Sequence, residues 1–210
     1  MEVIPLIREV RVSDYRSAVR AIKRGAARIE LNAALSVGGL TPSWANIRQT
    51  IAFAHAQSVP VIVTVRPRSG SFIYSAAEVQ IIQQDTHMIA QLGADGIALG
   101  LLTSHHQINT TQLQQIVTDL PPINLIFNRA FDQINNQPLA IQWLIANNFQ
   151  RIVTHGGSLN KPLNIKHLQE VIQWSHRQIE ILPSGGISPG KVADILKVLN
   201  LTQIQVSNIV

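Results

Sequence analysis

With 210 residues, 46% of them hydrophobic and 14% charged, the chain has the length of one well-buried domain and is short for two. No apolar run approaches the roughly 18 residues of a membrane span, and the absence of cysteine excludes disulfides and thiol chemistry together. The net charge of +5, from twelve arginines and five lysines against twelve acids, is scattered rather than gathered on one face. That argues against a nucleic-acid partner and leaves small anions as what the arginines would bind.

The start, MEVIPLIREV, has neither a basic leader nor a small-residue cleavage site, so the expectation is a cytoplasmic protein with no membrane partner. Apolar strand-like runs begin near Leu6, Ile29, Val61, Gly96, Ile123, Ile152, Ile179 and Ile204, with segments of helical period between them. Short strands alternating with helices imply parallel strands joined by crossover helices. Eight of them in one compact chain predict a TIM-type (β/α)8 barrel, a single domain over residues 1–210 with its last helix missing or truncated. Several helices mark their own ends. Thr41 before Pro42 reads as an N-cap with proline in the first turn, and Ser188 before Pro189 repeats it. Ser75 and Glu78 form a capping-box pattern opening a helix that stops at Gly93. The last helix sets Val192, Ile195, Leu196 and Leu199 on one stripe. A barrel without its final helix leaves one flank open, and an exposed apolar flank predicts a homodimer.

Polar residues gather at the tail of strand after strand, and in a parallel barrel those tails share one face, where chemistry takes place. Strand one carries Glu9 with Arg11 on the same side. In strand two, Arg28-Ile-Glu-Leu-Asn32, the period of two turns Glu30 and Asn32 toward the barrel axis. An inward carboxylate needs a partner, so Glu9 and Glu30 are a candidate pair for holding a cation or acting as acid and base, or one half of a barrel-floor ion pair. Strand three ends in Val65-Arg-Pro-Arg68, where Arg66 and Arg68 are placed to aim two guanidinium groups at one phosphate or carboxylate. The adjacent His105 and His106 are weak metal-ligand candidates, since no third ligand is placed by spacing. Strand five closes in Phe127-Asn-Arg-Ala-Phe-Asp132: Asn128 and Arg129 would point to opposite sides if the strand continued, and Asp132 is near enough to orient Arg129 or act as an acid. His155, in the loop after strand six, is a second candidate acid. Ser184, Gly185 and Gly186 form a loop whose backbone can approach a phosphate before a helix start. No strand tail carries a lysine, which argues against Schiff-base chemistry.

The stretches RIELNAALSVGGLTPS, VRPRSGSFIYS, LGADGIALGLLT, FNRAFD and LPSGGISP, in this order, resemble the CutC family of copper homeostasis proteins. The resemblance implies a TIM barrel, a cytoplasmic location, self-association and a role in handling copper, with no established catalytic reaction attached. The family tends to carry cysteine at the position of Asn32, often another near Arg11, and histidine at that of Asn128. Cuprous ion favours thiolate and thioether ligands, and Met1 and Met88 are the only sulfur here. Copper is thus implied by the resemblance alone, and no other cofactor is indicated. Two functions follow. One is a copper-handling protein of the CutC kind with a polar pocket at the barrel's C-terminal face. The other is a lyase- or isomerase-type enzyme acting on a small phosphorylated or carboxylated molecule. In it Arg66, Arg68 and Arg129 hold the anion, Glu30 or Glu9 serves as base and Asp132 or His155 as acid.

Overall fold

A computed structural model of the chain describes residues 6–207. Its strands are β1 (Ile7–Val12), β2 (Arg28–Leu31), β3 (Val61–Thr64), β4 (Gly96–Leu99), β5 (Asn124–Phe127), β6 (Phe149–Thr154), β7 (Glu180–Pro183) and β8 (Gln203–Val206). Between them run α1 (Tyr15–Lys23), α2 (Trp44–His55), α3 (Ala76–Gln91), α4 (Thr110–Val117), α5 (Gln137–Ala146), α6 (Ile165–Ser175) and α7 (Val192–Leu199). All ladders are parallel, in the order β7-β6-β5-β4-β3-β2-β1-β8. β7 and β8 lie side by side without a ladder between them. The result is a nearly closed TIM-type barrel, as the alternation of elements predicts.

Helix boundaries follow side-chain capping. Asp14 caps α1 by accepting from the Ser17 amide at 2.7 Å, and Ser75 with Glu78 closes the expected capping box on α3. The start predicted at Thr41-Pro42 falls two residues later, because Ser43 is the N-cap of α2. Thr41 is instead tied to β3: its amide donates to the Arg66 carbonyl and its hydroxyl accepts from the Arg66 amide, both at 2.9 Å. Ser188 and Pro189 open only a 3₁₀ turn, Pro189–Lys191, that leads into α7.

Outward strand residues such as Ile29, Leu31, Val61, Val63, Ile97 and Ile204 pack with the helices into the main core. Inside the ring, Ile62, Ala98, Ile126, Val153 and Leu182 form a second apolar cluster. The rest of the interior, contributed chiefly by β1, β2 and β8, is polar. This asymmetry places the site against one wall. The flank expected to lie bare beside β8 is covered among the described residues: Val10, Val12, Ile204 and Val206 are each 3% exposed or less, beneath α1 and α7. The argument for a dimer from an exposed flank therefore does not hold.

Candidate functional site

The polar interior is built in two layers by strand register. In the lower layer Glu9 lies opposite both Arg28 and Gln205. Its carboxylate pairs with the Arg28 Nε, lies 3.9 Å from Arg151 Nη1, and accepts from Gln205 Nε2 at 2.6 Å. Arg28 also donates to Gln203 Oε1 at 3.0 Å, and Arg151 is held by Glu180 at 2.6 Å. Glu9 is thus the floor of the barrel. It does not line the cleft above, and the acid–base role considered for it gives way to the ion-pair role.

One layer up, Arg11 pairs in register with Glu30. Arg11 Nε lies 3.4 Å from Glu30 Oε1, and its Nη2 donates to the Gly38 carbonyl at 2.9 Å. Asn32 Nδ2 donates to Glu30 Oε1 at 3.1 Å, the Thr64 hydroxyl lies at the same distance, and Gln205 Nε2 donates to Oε2 at 2.6 Å. Burial pushes the Glu30 carboxyl up, but the Arg11 guanidinium and the hydrogen bonds from Asn32, Gln205 and Thr64 outweigh it and hold the group below the usual carboxylate range. A carboxyl depressed in the folded state stabilises the fold above its unfolded value and loses that contribution as pH falls through the folded one. Acid unfolding of the wild type should therefore include a component below the ordinary value of 4.5. Urea midpoints measured from pH 7 to pH 3 should fall less steeply for Glu30→Gln; parallel curves would refute the depressed carboxyl.

Above Glu30 a chamber of about 40 Å³ is walled by Arg11, Asn32, Thr64, Arg66, Asn128 and Arg129, and it opens into a mouth of about 490 Å³ that Arg66, Phe72 and Arg129 share with Asp132. Asn128 and Arg129 both face this cleft because β5 stops at Phe127 and a 3₁₀ turn, Arg129–Gln133, begins at once. Arg66 is 7% exposed. Its Nη1 donates to the Val37 carbonyl at 3.2 Å, its Nη2 to that of Gly70 at 2.6 Å, and its guanidinium carbon sits 4.6 Å over the Phe72 ring. Its buried Nε has no partner among the described residues. The Arg129 guanidinium makes no hydrogen bond or ion pair there either; Glu30 and Asp132 act on it only through space. Burial, and after it the neighbouring charge of Arg11, press Arg129 below the usual arginine range. Asp132 accepts from the Thr154 hydroxyl at 2.6 Å and from the amides of His155 and Gly157 at 3.1 and 3.2 Å. Burial nevertheless raises its carboxyl above the usual range.

Four further expectations do not join this cleft. Arg68 turns away, because the chain past Thr64 is no longer a strand: its guanidinium pairs with Glu78 at the start of α3, donates to the carbonyls of Ser71 and Ile73 at 2.7 Å, and lies over Tyr74. Arg68, first among the causes, holds Glu78 at about 2. His155 is buried, with Nδ1 and Nε2 each 3.0 Å from a carbonyl, of Ser184 and Lys161, so both ring nitrogens face backbone rather than the cleft. The Ser184–Gly186 loop approaches His155 rather than a ligand: a Cβ on Gly185 would fall 2.9 Å from His155 Nδ1, and the Ser184 hydroxyl donates to Gln205 Oε1. His105 and His106 are exposed on the loop after β4, and no three His, Cys, Asp or Glu are grouped to hold a metal among the described residues.

The glycines that matter at the site belong to the β2–α2 loop. Gly39, at φ +93°, lies so close to Asn32 and Arg11 that a Cβ would overlap Asn32 Oδ1 and fall 2.8 Å from Arg11 Nη2. Sequence reasoning also passed over Thr64 and Gln205. The latter's signal is the inward alternation Gln203-Ile-Gln205 in an otherwise apolar strand.

Comparison with known proteins agrees with the fold throughout. A family protein CutC from Enterococcus faecalis is 37% identical over 209 residues, spanning 98% of this chain and all of the relative. The human copper homeostasis protein cutC homolog is 32% identical over 95% of this chain and 72% of its own length. The crystal structure of a CutC from Streptococcus agalactiae superposes with a TM-score of 0.94 at 32% identity, covering 98% of this chain and 100% of that one. With the model of the CutC family matching residues 6–210, the chain belongs to the CutC family.

Proposed function

We propose that this protein takes part in copper homeostasis, as the names of its relatives suggest, and that its own site binds a small carboxylate or phosphate anion rather than cuprous ion. The observation that carries the second half is the Arg129 guanidinium, which faces the chamber beside Arg66 without a partner among the described residues. Polar groups largely removed from water are normally satisfied, so a guanidinium left open at this chamber favours an acceptor ligand. The donor set does not fit Cu(I). There is no cysteine, Met88 lies on α3 against the core, and the carboxylate of Glu30 is already held by Arg11. Glu30 beneath the anion and Asp132 at the mouth are the groups that would move a proton if the site turns over a substrate, with no lysine at a strand tail for a Schiff base.

Calorimetric titration with inorganic phosphate and with short carboxylates tests the reading. Saturable binding should weaken by about tenfold or more in Arg129→Ala, since a hydrogen bond to a charged group is at stake. It should stay within about twofold in Arg68→Ala, whose partner Glu78 is partly exposed at a helix start. Equal loss in both variants, or none in either, overturns the assignment. An anaerobic Cu(I) titration should show no saturable uptake at micromolar metal; one equivalent bound per chain would restore the metal reading.

A further inference from the structure

Resting on that anion site, we infer that its ligand is a short 2-hydroxycarboxylate: the carboxylate lies on Arg129, beside the Arg66 guanidinium, and the neighbouring hydroxyl donates to Glu30 Oε2. The chamber has its free donors and its free acceptor on different walls. Arg129 offers N–H groups with no partner among the described residues, whereas the unpartnered Arg66 Nε is enclosed and out of a ligand's reach. Glu30 supplies the acceptor. Its Oε1 is occupied by Asn32, Thr64 and Arg11, whereas Oε2 has Gln205 as its single partner. An ionised carboxylate has about four lone-pair sites, so Oε2 can take one more donor. Glu30 and Arg129 line the same chamber yet are not within ion-pair distance of each other. A simple carboxylate would satisfy Arg129 and set its own charge beside Glu30 with nothing between them. A group that accepts at one end and donates at the other, one carbon apart, satisfies both walls.

Charge selects hydroxyl over ammonium. Arg11, Arg66 and Arg129 already stand around the chamber against Glu30, with Asp132 farther out at the mouth. An ammonium in place of the hydroxyl would add a fourth cation in a water-poor space, where like charges repel strongly. The chamber's size, about 40 Å³, limits the head group to a few heavy atoms, while the mouth of about 490 Å³ leaves room for a substituent on the same carbon.

The test uses the wild-type protein and four monocarboxylates on one three-carbon skeleton: lactate, propionate, 2-methoxypropionate and alanine. Lactate should bind about tenfold tighter than propionate, the value of one hydrogen bond to a charged acceptor. The methoxy acid, which keeps the oxygen and loses the donor, should fall back to propionate or below, and alanine should gain nothing over propionate. In Glu30→Gln the preference for lactate should shrink toward unity while propionate affinity is retained or improved. Lactate and propionate binding equally, with both lost in Arg129→Ala, would overturn the hydroxyl assignment and leave the anion site standing. Alanine binding tighter than lactate would replace the hydroxyl by an ammonium and overturn it as well. No binding of any of the four, nor of phosphate, would remove the anion site and this inference together.

Discussion

Glu9→Ala should cost about 3–5 kcal/mol of stability, read as a shift of the urea midpoint at unchanged slope. Glu9 is 1% exposed, and its carboxylate is the only acidic partner of Arg28 among the described residues, with Arg151 near the same oxygen and Gln205 on the other. Removing it leaves the buried Arg28 guanidinium with a single neutral partner, Gln203. Arg151 keeps Glu180, so the penalty falls mainly on Arg28. A buried charge whose partner is deleted pays its desolvation without return, and that is the source of the magnitude. Replacing both members, as in Glu9→Leu with Arg28→Met, should recover most of the loss, because the apolar pair needs no solvation. A loss below about 1 kcal/mol for Glu9→Ala would mean the pair is solvated and the floor is not sealed. The double variant separates a role in stability from one in chemistry: if it folds and still binds anions, Glu9 contributes to the fold alone.

The architecture was legible because alternation of apolar runs and helical periods carries through the whole chain, and each strand start lay within a few residues of its predicted place. The site was legible only where strand geometry holds. Glu30 and Asn32 sit inside β2 or at its end, so a period of two oriented both correctly. That rule failed two or more residues past a strand end. Asn128 and Arg129 both reach the cleft because a 3₁₀ turn replaces the strand, and Arg68 leaves Arg66 because β3 has already ended at Thr64 and Glu78 captures the side chain. Ser184 and Gln205 illustrate a second gap. Their contact joins the tails of the seventh and eighth strands, which share no ladder, so it exists only once the ring closes. Glycine identity was equally uninformative, since Gly39 and Gly185 both make close approaches but to different neighbours.

Gly39→Ala should destabilise the protein by about 2–4 kcal/mol, the sum of about 1–2 for a side chain at positive φ and 1–3 for overpacking, less what relaxation returns. Its φ of +93° is in the left-handed region, and the added methyl would meet Asn32 Oδ1 and the Arg11 Nη2. Gly93→Ala supplies the control, having φ of +82° but nothing within 4 Å of a Cβ, so only the backbone cost of about 1–2 kcal/mol applies. The difference between the two variants therefore isolates the close approach. That approach has a functional reading, because the atoms displaced are the ones that hold Glu30 ionised. Arg11 pushed off the Gly38 carbonyl moves away from Glu30 Oε1, and Asn32 loses its place beside the Thr64 hydroxyl at 2.7 Å. Gly39→Ala should thus weaken anion binding as well as stability, while Gly93→Ala lowers stability alone. Equal destabilisation by the two substitutions, with anion affinity intact in both, would show that the β2–α2 loop yields freely and that the contacts of Gly39 do not shape the cleft.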